Sequence, residues 1–291
     1  SSVGDTATYP DSEMDTDTQW AYEPAQWPST ECEELADSLI AQMTKEEKAA
    51  QTAMPSISQM TPDKVTNQMF GAIFAGGGKQ TGDSSAPADW FATNTAMQNA
   101  ALASRLGIPV LIGIDAIHGH NGLINTTIFP HNIGMGCTRN PALVERAGQI
   151  TAKEMVGTGF NWTFGPMVST AWDDRWGRTF ECYSEDPELV EQMGAAAVSG
   201  LQGRGGMGEG LGVVACAKHF AGDGQATLGT SAKGGTLDRG DVRIDLADMM
   251  TYGINPYRSA LDAGLGSIMV SDASWNGEYM TTHADLLSIL K

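Results

Sequence analysis

The sequence predicts an α/β fold built on a parallel β-sheet. Three features point there: short continuous apolar runs, stretches of helical periodicity between them, and turn residues that separate the two. The runs are Gly71–Ala75, Pro109–Ile114, Phe160–Phe164, Gly212–Ala217 and Gly266–Ser271. They are continuous rather than alternating, as strands buried on both faces should be. Strand and helix taking turns along a chain means a parallel sheet with crossover helices.

In chain order, residues 1–30 are rich in Ser, Thr, Asp and Pro and read as a flexible N-terminal extension. The chain begins at Ser1 with no charged segment followed by an apolar one, so any signal peptide is expected to have been removed. From Glu31 the pattern is helical, with Leu35, Leu39, Ile40 and Met43 on one face. Thr44-Lys45-Glu46-Glu47 has capping-box spacing and predicts a second short helix. Asn140-Pro141 and Asp186-Pro187 each place a capping residue before a proline at the first helical position. Leu143, Ala147 and Ile150 make one apolar stripe; Leu189, Val190, Met193 and Ala197 make another. Gly157 and Gly159, and Gly200 and Gly203, are expected to stop these helices.

A chain of 291 residues can hold one or two domains, and a closed α/β barrel needs about 250. Five clear strand runs fall short of eight. The expectation is a TIM-type (β/α)8 barrel domain over 31–291, cut off after its fifth or sixth strand.

Lys and Arg number 17 against 35 Asp and Glu, a net charge of −18. Such a chain repels phosphates, which argues against nucleic-acid binding. It has no apolar run of about 18 residues and no basic amphipathic stretch, so no membrane partner is expected. Cys32, Cys137, Cys182 and Cys216 include no CxxC pair and are expected to be buried free thiols.

In parallel α/β folds, functional groups gather at the carboxyl ends of strands. Four polar clusters fall there: Asp115 with His118 and His120; Asp173 to Arg178; Lys218-His219 with Asp223; and Asp272. Singly, each has an ordinary explanation. Asp115 could cap a turn, Arg175 and Arg178 could form structural ion pairs, and Lys218-His219 could be a solvated strand end. Together they suit sugar recognition, because carboxylates accept from vicinal hydroxyls while Lys, Arg and His donate to them. Trp176 or Trp275 could offer a flat face to a sugar ring or could be core.

Other motifs fail. Gly76-Gly77-Gly78-Lys79 lacks the remaining phosphate-loop residues, having Ile73 and Gln80 where Gly and Ser or Thr are needed. No GxSxG elbow is present. His118-x-His120 has metal-ligand spacing without a converging partner, so no metal and no cofactor are expected. Asn125 and Asn161 head glycosylation acceptor triplets, the second inside an expected strand.

The clusters, in this order, resemble glycoside hydrolase family 3, in particular its β-glucosidase and exo-β-glucanase members. The likeness rests on Met43–Lys48, Gly113–Gly119, Thr127–Asn132, Arg175–Arg178 with Glu181 and Tyr183–Pro187, Ala217–Phe220, and Ser274–Gly277. It runs from about residue 33 to the end. The resemblance implies a retaining exo-acting hydrolase that removes glucose from β-glucosides or β-glucans, located in the periplasm or outside the cell. It implies that Asp115, Arg178, Lys218 and His219 hold the terminal sugar. Asp272 stands where relatives often carry Tyr and is retained as a substrate-binding candidate. Phe220–Gly224 matches the glucosidase version of the loop, without the second His of relatives that cleave N-acetylglucosamine.

The resemblance also implies a nucleophilic Asp one strand beyond Ser274–Gly277, just past Lys291, and an acid/base Glu from a following sandwich domain of the same polypeptide. Asp272 is a weak second candidate for nucleophile, because Ala273 follows it where an aromatic is expected. On this reading residues 1–291 hold mainly the sugar-binding half and are themselves inactive. The alternatives are a non-catalytic sugar-binding relative and a Schiff-base aldolase using Lys218.

Overall fold

The computed structural model describes residues 29–76, 86–203, 212–231 and 236–290. The expected flexible extension, Lys79 and Lys291 lie outside the described residues, apart from Ser29 and Thr30.

Ser29 caps the first helix, α1 (Thr30–Gln42). The Thr44 hydroxyl accepts from Glu47 N, and the Glu47 carboxylate accepts from Thr44 N at 2.8 Å, opening α2 (Lys45–Gln51). This is the predicted capping box. The apolar face expected on α1 is not buried: Leu35 and Ile40 are exposed, and no residue of α1 reaches the core. Next come α3 (Pro62–Gln68), β1 (Ala72–Ala75), α4 (Pro87–Leu102) and β2 (Leu111–Ile114). They are followed by α5 (Asn132–Cys137), α6 (Pro141–Val156), β3 (Trp162–Thr163), α7 (Pro187–Gln202) and β4 (Val214–Phe220). The remainder is β5 (Asp241–Val242), α8 (Leu246–Asp248), a π-helical turn over Met249–Ile254, α9 (Arg258–Asp262), β6 (Ser267–Val270), β7 (Ser274–Trp275), β8 (Glu278–Tyr279) and α10 (Ala284–Ile289).

All five apolar runs became strands of one parallel sheet, ordered β1-β2-β3-β4-β6. Helices lie between consecutive strands, so the carboxyl ends of all five strands share one edge. The second strand's burial is nearly continuous, whereas β6 is half-buried along its length. Its outer edge has no strand partner among the described residues. On the other side, Phe74 N donates to Pro55 O, so residues 55–56 partly cover the edge of β1.

A small second sheet, β5-β7-β8, was not foreseen. Asn276-Gly277 joins β7 to β8 with φ of 50° and 90°. Two positive angles in a two-residue loop are what a type I′ hairpin turn requires.

Two helix expectations need correction. The buried face of α6 is Val144, Gly148, Thr151, Ala152 and Met155, while Leu143 is exposed. Gly200 does not stop α7 but lies within it. A Cβ there would sit 2.2 Å from Glu145 O, and Gly148 meets Gly200 backbone to backbone. The two helices cross so closely that the glycine pair selects the buried face of α6, one position away from the larger aliphatics. The stop falls at Gly203, φ 82°. The stripe Leu189, Val190, Met193 and Ala197 is buried as expected.

The cysteines also divide. Cys182 and Cys216 are buried, Cys32 and Cys137 are exposed, and all four are free. Burial pushes both inner thiols up, away from the reactive thiolate form.

Candidate sugar-binding site

β4 is longer than its apolar run suggests. Lys218 and His219 belong to the strand rather than following it, and Phe220 ends it. The pairing with β6 shifts register between Lys218 and Phe220. Such an irregularity breaks the strict alternation of side chains and re-aims them. The Lys218–His219 and Phe220–Ala221 peptide bonds are cis.

Lys218 Nζ donates to Asp115 Oδ1 at 2.7 Å. The lysine side chain is 3% exposed and the aspartate 49%, so one partner is buried and the other faces solvent. Asp115 stands immediately after β2. A buried ammonium is tolerable only when paired in this way.

The segment after β3 runs alongside β4: Lys218 N donates to Pro166 O, and Val168 N to Lys218 O, both at 3.0 Å. That course carries Arg178 to His219, with Nη1 lying 3.4 Å from His219 Nε2. Arg178 also grips Glu181 with two contacts of 2.9 Å. Burial opposes its charge, but hydrogen bonding to Glu181 and the charges of Glu181, Asp223 and Asp238 raise Arg178 above the ordinary arginine value. His219 Nδ1 lies 2.9 Å from Asp223 Oδ2, and the Ser271 hydroxyl bonds Oδ1 of the same aspartate.

At the carboxyl end of β4 the structure therefore pairs Asp115 with Lys218 and brings Arg178 to His219, two contacts carried by consecutive residues. The two alternatives for the arginines are both realised. Arg175 is an exposed partner of Asp173, at 2.6 Å, and holds that carboxyl down at about 2, whereas Arg178 reaches the cluster. Asp272 lies two residues past β6, half exposed, with Oδ2 3.5 Å from Arg239 Nη1.

The two candidate tryptophans differ: one is buried and the other half-buried. Trp176 is buried, with Nε1 donating to Asp238 Oδ1 at 3.3 Å. Trp275 stacks on His283 at 5.2 Å. Asn161 clamps β2, accepting from Ile112 N and donating to Val110 O.

Glu181, Ser271, Asp238 and Arg239 are not among the expected site residues, whereas Asp223 is, in the cluster with Lys218-His219. The spacing could have found Glu181, three residues from Arg178. Nothing in the sequence around Asp238-Arg239 marks a strand end.

A separate cavity of about 40 Å³ lies behind the loop after β2, lined by groups such as Ile117, Phe129, Met135, Val144 and Tyr183. Asp115, Arg178, Lys218 and His219 do not line it.

His120 is buried with Nε2 2.9 Å from Thr158 Oγ1. Burial, opposed by the charge of Glu154, lowers it from 6.5 to about 4. Among the described residues no group of three His, Cys, Asp or Glu could hold a metal ion. The neutral ring of His120 favours the folded state fully above pH 6.5, and that contribution is lost as pH falls through about 4. The gap between wild type and His120→Gln in urea midpoint should therefore narrow on acidification through that window. A constant gap would place the charged ring comfortably in the fold.

A family model described as glycosyl hydrolase family 3 N terminal domain matches residues 44–291. The periplasmic beta-glucosidase of Salmonella typhimurium is 32% identical over 255 residues, which is 86% of this chain and 30% of that protein. The solved exo-1,3/1,4-beta-glucanase ExoP from a Pseudoalteromonas species matches with a TM-score of 0.83 and 38% identity, covering 90% of this chain and 33% of that one. A beta-glucosidase from Listeria innocua, solved in complex with glucose, matches with a TM-score of 0.73 and 27% identity, over 88% and 35%. The chain spans about a third of the length of these relatives.

Proposed function

The chain belongs to glycosyl hydrolase family 3, and from that premise we propose that it supplies the sugar-binding side of a retaining, exo-acting β-glucosidase or exo-β-glucanase. The observation that carries this reading is the meeting of two ionic systems on consecutive residues. Lys218 is paired to Asp115, and His219 lies between Arg178 and Asp223. Lysine and arginine donate to sugar oxygens, His219 sits between the Arg178 guanidinium and the Asp223 carboxylate, and Asp115, half exposed, can accept from a hydroxyl. A site that pairs each hydroxyl discriminates against sugars lacking one, because its own groups are then left unsatisfied.

Retaining hydrolysis needs two carboxyl groups about 5–5.5 Å apart. One attacks the anomeric carbon and forms a glycosyl ester. The other protonates the departing oxygen and then takes a proton from the water that breaks the ester. Asp115 is engaged by Lys218 and Asp272 by Arg239, so we assign neither to attack. The reading takes both catalytic carboxyls from further polypeptide that completes the barrel at the open edge of β6 and follows it. The relatives' printed names, beta-glucosidase and exo-glucanase, support a terminal β-glucosyl residue as substrate, and the periplasmic beta-glucosidase supports a periplasmic location. No helix of the described residues is long and apolar enough to cross a membrane.

The test is hydrolysis of an aryl β-glucoside by the full-length gene product, followed by NMR. The expected first product is β-glucose, with free glucose as a competitive inhibitor. First release of α-glucose, or no release, would reject the proposal.

A further inference from the structure

We propose that Arg239, paired with Asp272, contacts the substrate and sets which hydroxyl the terminal sugar must carry. The proposal rests on the glycosidase reading above.

The contacts around the cluster close on themselves. Arg178 meets His219, His219 meets Asp223, and Asp223 takes the Ser271 hydroxyl. Asp272 is the next residue, and it pairs with Arg239. Arg239 Nε in turn lies 3.6 Å from Asp238 Oδ2, and Asp238 accepts from Trp176, two residues before Arg178. Arg239 thus stands on the same circuit as the proposed sugar-gripping residues, although 20 residues separate it from His219 in the chain.

Exposure is uneven around that circuit and jumps from the buried Ser271 to Asp272 beside it. The side chains of Asp223 and His219 are 7% and 13% exposed, those of Arg239 and Asp272 44% and 50%. The Arg239–Asp272 pair is therefore the outer rim, where an entering sugar arrives. Its contacts are also long: 3.5 and 3.6 Å against 2.9 Å for Arg178 to Glu181. At such lengths a guanidinium with five fixed donors keeps capacity for a closer acceptor. The loop places Arg239 in a turn closed by Gly240 N donating to Leu237 O at 3.1 Å, and its φ of 55° is what the third residue of such a turn adopts. The ligand chemistry is a neutral diol, with the guanidinium donating to one oxygen and the carboxylate accepting from its neighbour's hydrogen.

The experiment uses the full-length gene product with an aryl β-glucoside and its 2-, 3-, 4- and 6-deoxy analogues. Calorimetric binding of glucose and the matching deoxyglucoses runs in parallel. Arg239→Ala should weaken binding of the parent sugar about tenfold or more. Arg239→Lys should recover part of the loss. The penalty should collapse for one deoxy sugar, the one lacking the hydroxyl that Arg239 holds. Asp272→Asn, which keeps the shape of the side chain, should show its own penalty collapsing on that sugar or the adjacent one. A penalty equal across all the sugars, or no penalty, would overturn the proposal. Should the wild type bind these sugars without hydrolysing any glucoside, the glycosidase reading fails while the binding pattern still decides the role of Arg239.

Discussion

Asp115→Ala is expected to destabilise the fold far more than Lys218→Met, although the two residues share one ion pair. The asymmetry follows from their exposure, 3% for the lysine side chain and 49% for the aspartate. Removing Asp115 strands an ammonium in the protein interior, and breaking a buried pair in that direction costs on the order of 3 kcal/mol. Removing Lys218 leaves a carboxylate that water already reaches, and methionine fills the stem's volume, so stability should change by about 1 kcal/mol or less. Function should not follow the same order. Both changes delete a charged group assigned to a sugar hydroxyl, each worth roughly tenfold to 150-fold in kcat/KM. Urea midpoints and aryl-glucoside kinetics on the same two variants separate the effects. Equal loss of stability would mean that Lys218 is solvated when its partner is gone. Near-wild-type kinetics in Lys218→Met would remove that residue from the sugar site.

The strands were legible because short apolar runs stand out between turn residues, and each of the five runs became a strand, although β6 is only half-buried. Their ends were less so. Lys218 and His219 read as a strand's end because charged residues rarely sit inside a buried strand, yet Asp115 and Asp223 neutralise that cost from other loops. Pairing across 103 residues leaves no local trace. The buried face of α6 was misplaced for a related reason. Apolar periodicity finds the greasiest stripe, but the α6–α7 crossing chose the stripe holding Gly148, because only small residues let the backbones approach. Arg239 had no signal at all. It follows no apolar run, and its place on the circuit depends on a loop path that composition does not encode. The residues carrying the family likeness were legible as a set because their types, order and spacing had to agree at once.

A 2-fluoroglucoside should label the full-length gene product on an aspartate, and the labelled peptide should contain neither Asp115 nor Asp272. The 2-fluorine slows both formation and breakdown of the glycosyl ester, and a probe with an activated leaving group restores formation alone, so the nucleophile accumulates as a covalent adduct. The nucleophile must reach the anomeric carbon from the face opposite the leaving oxygen, with the acid/base carboxyl about 5–5.5 Å away. Asp115 Oδ1 is held by Lys218 at 2.7 Å, which suits it to gripping hydroxyls rather than attacking carbon. Asp272 faces Arg239, and Ser271 beside it is tied to Asp223. Moving Asp272 inward would separate it from Arg239 and take the turn after β6 off its anchor. Mass spectrometry of the digested adduct decides the matter. A glucosyl mass on the peptide holding Asp272 would make that residue the nucleophile and turn Arg239 into the group that orients it. The deoxy-sugar pattern expected for Arg239→Ala would then give way to a loss concentrated in the rate of labelling, the same for every sugar.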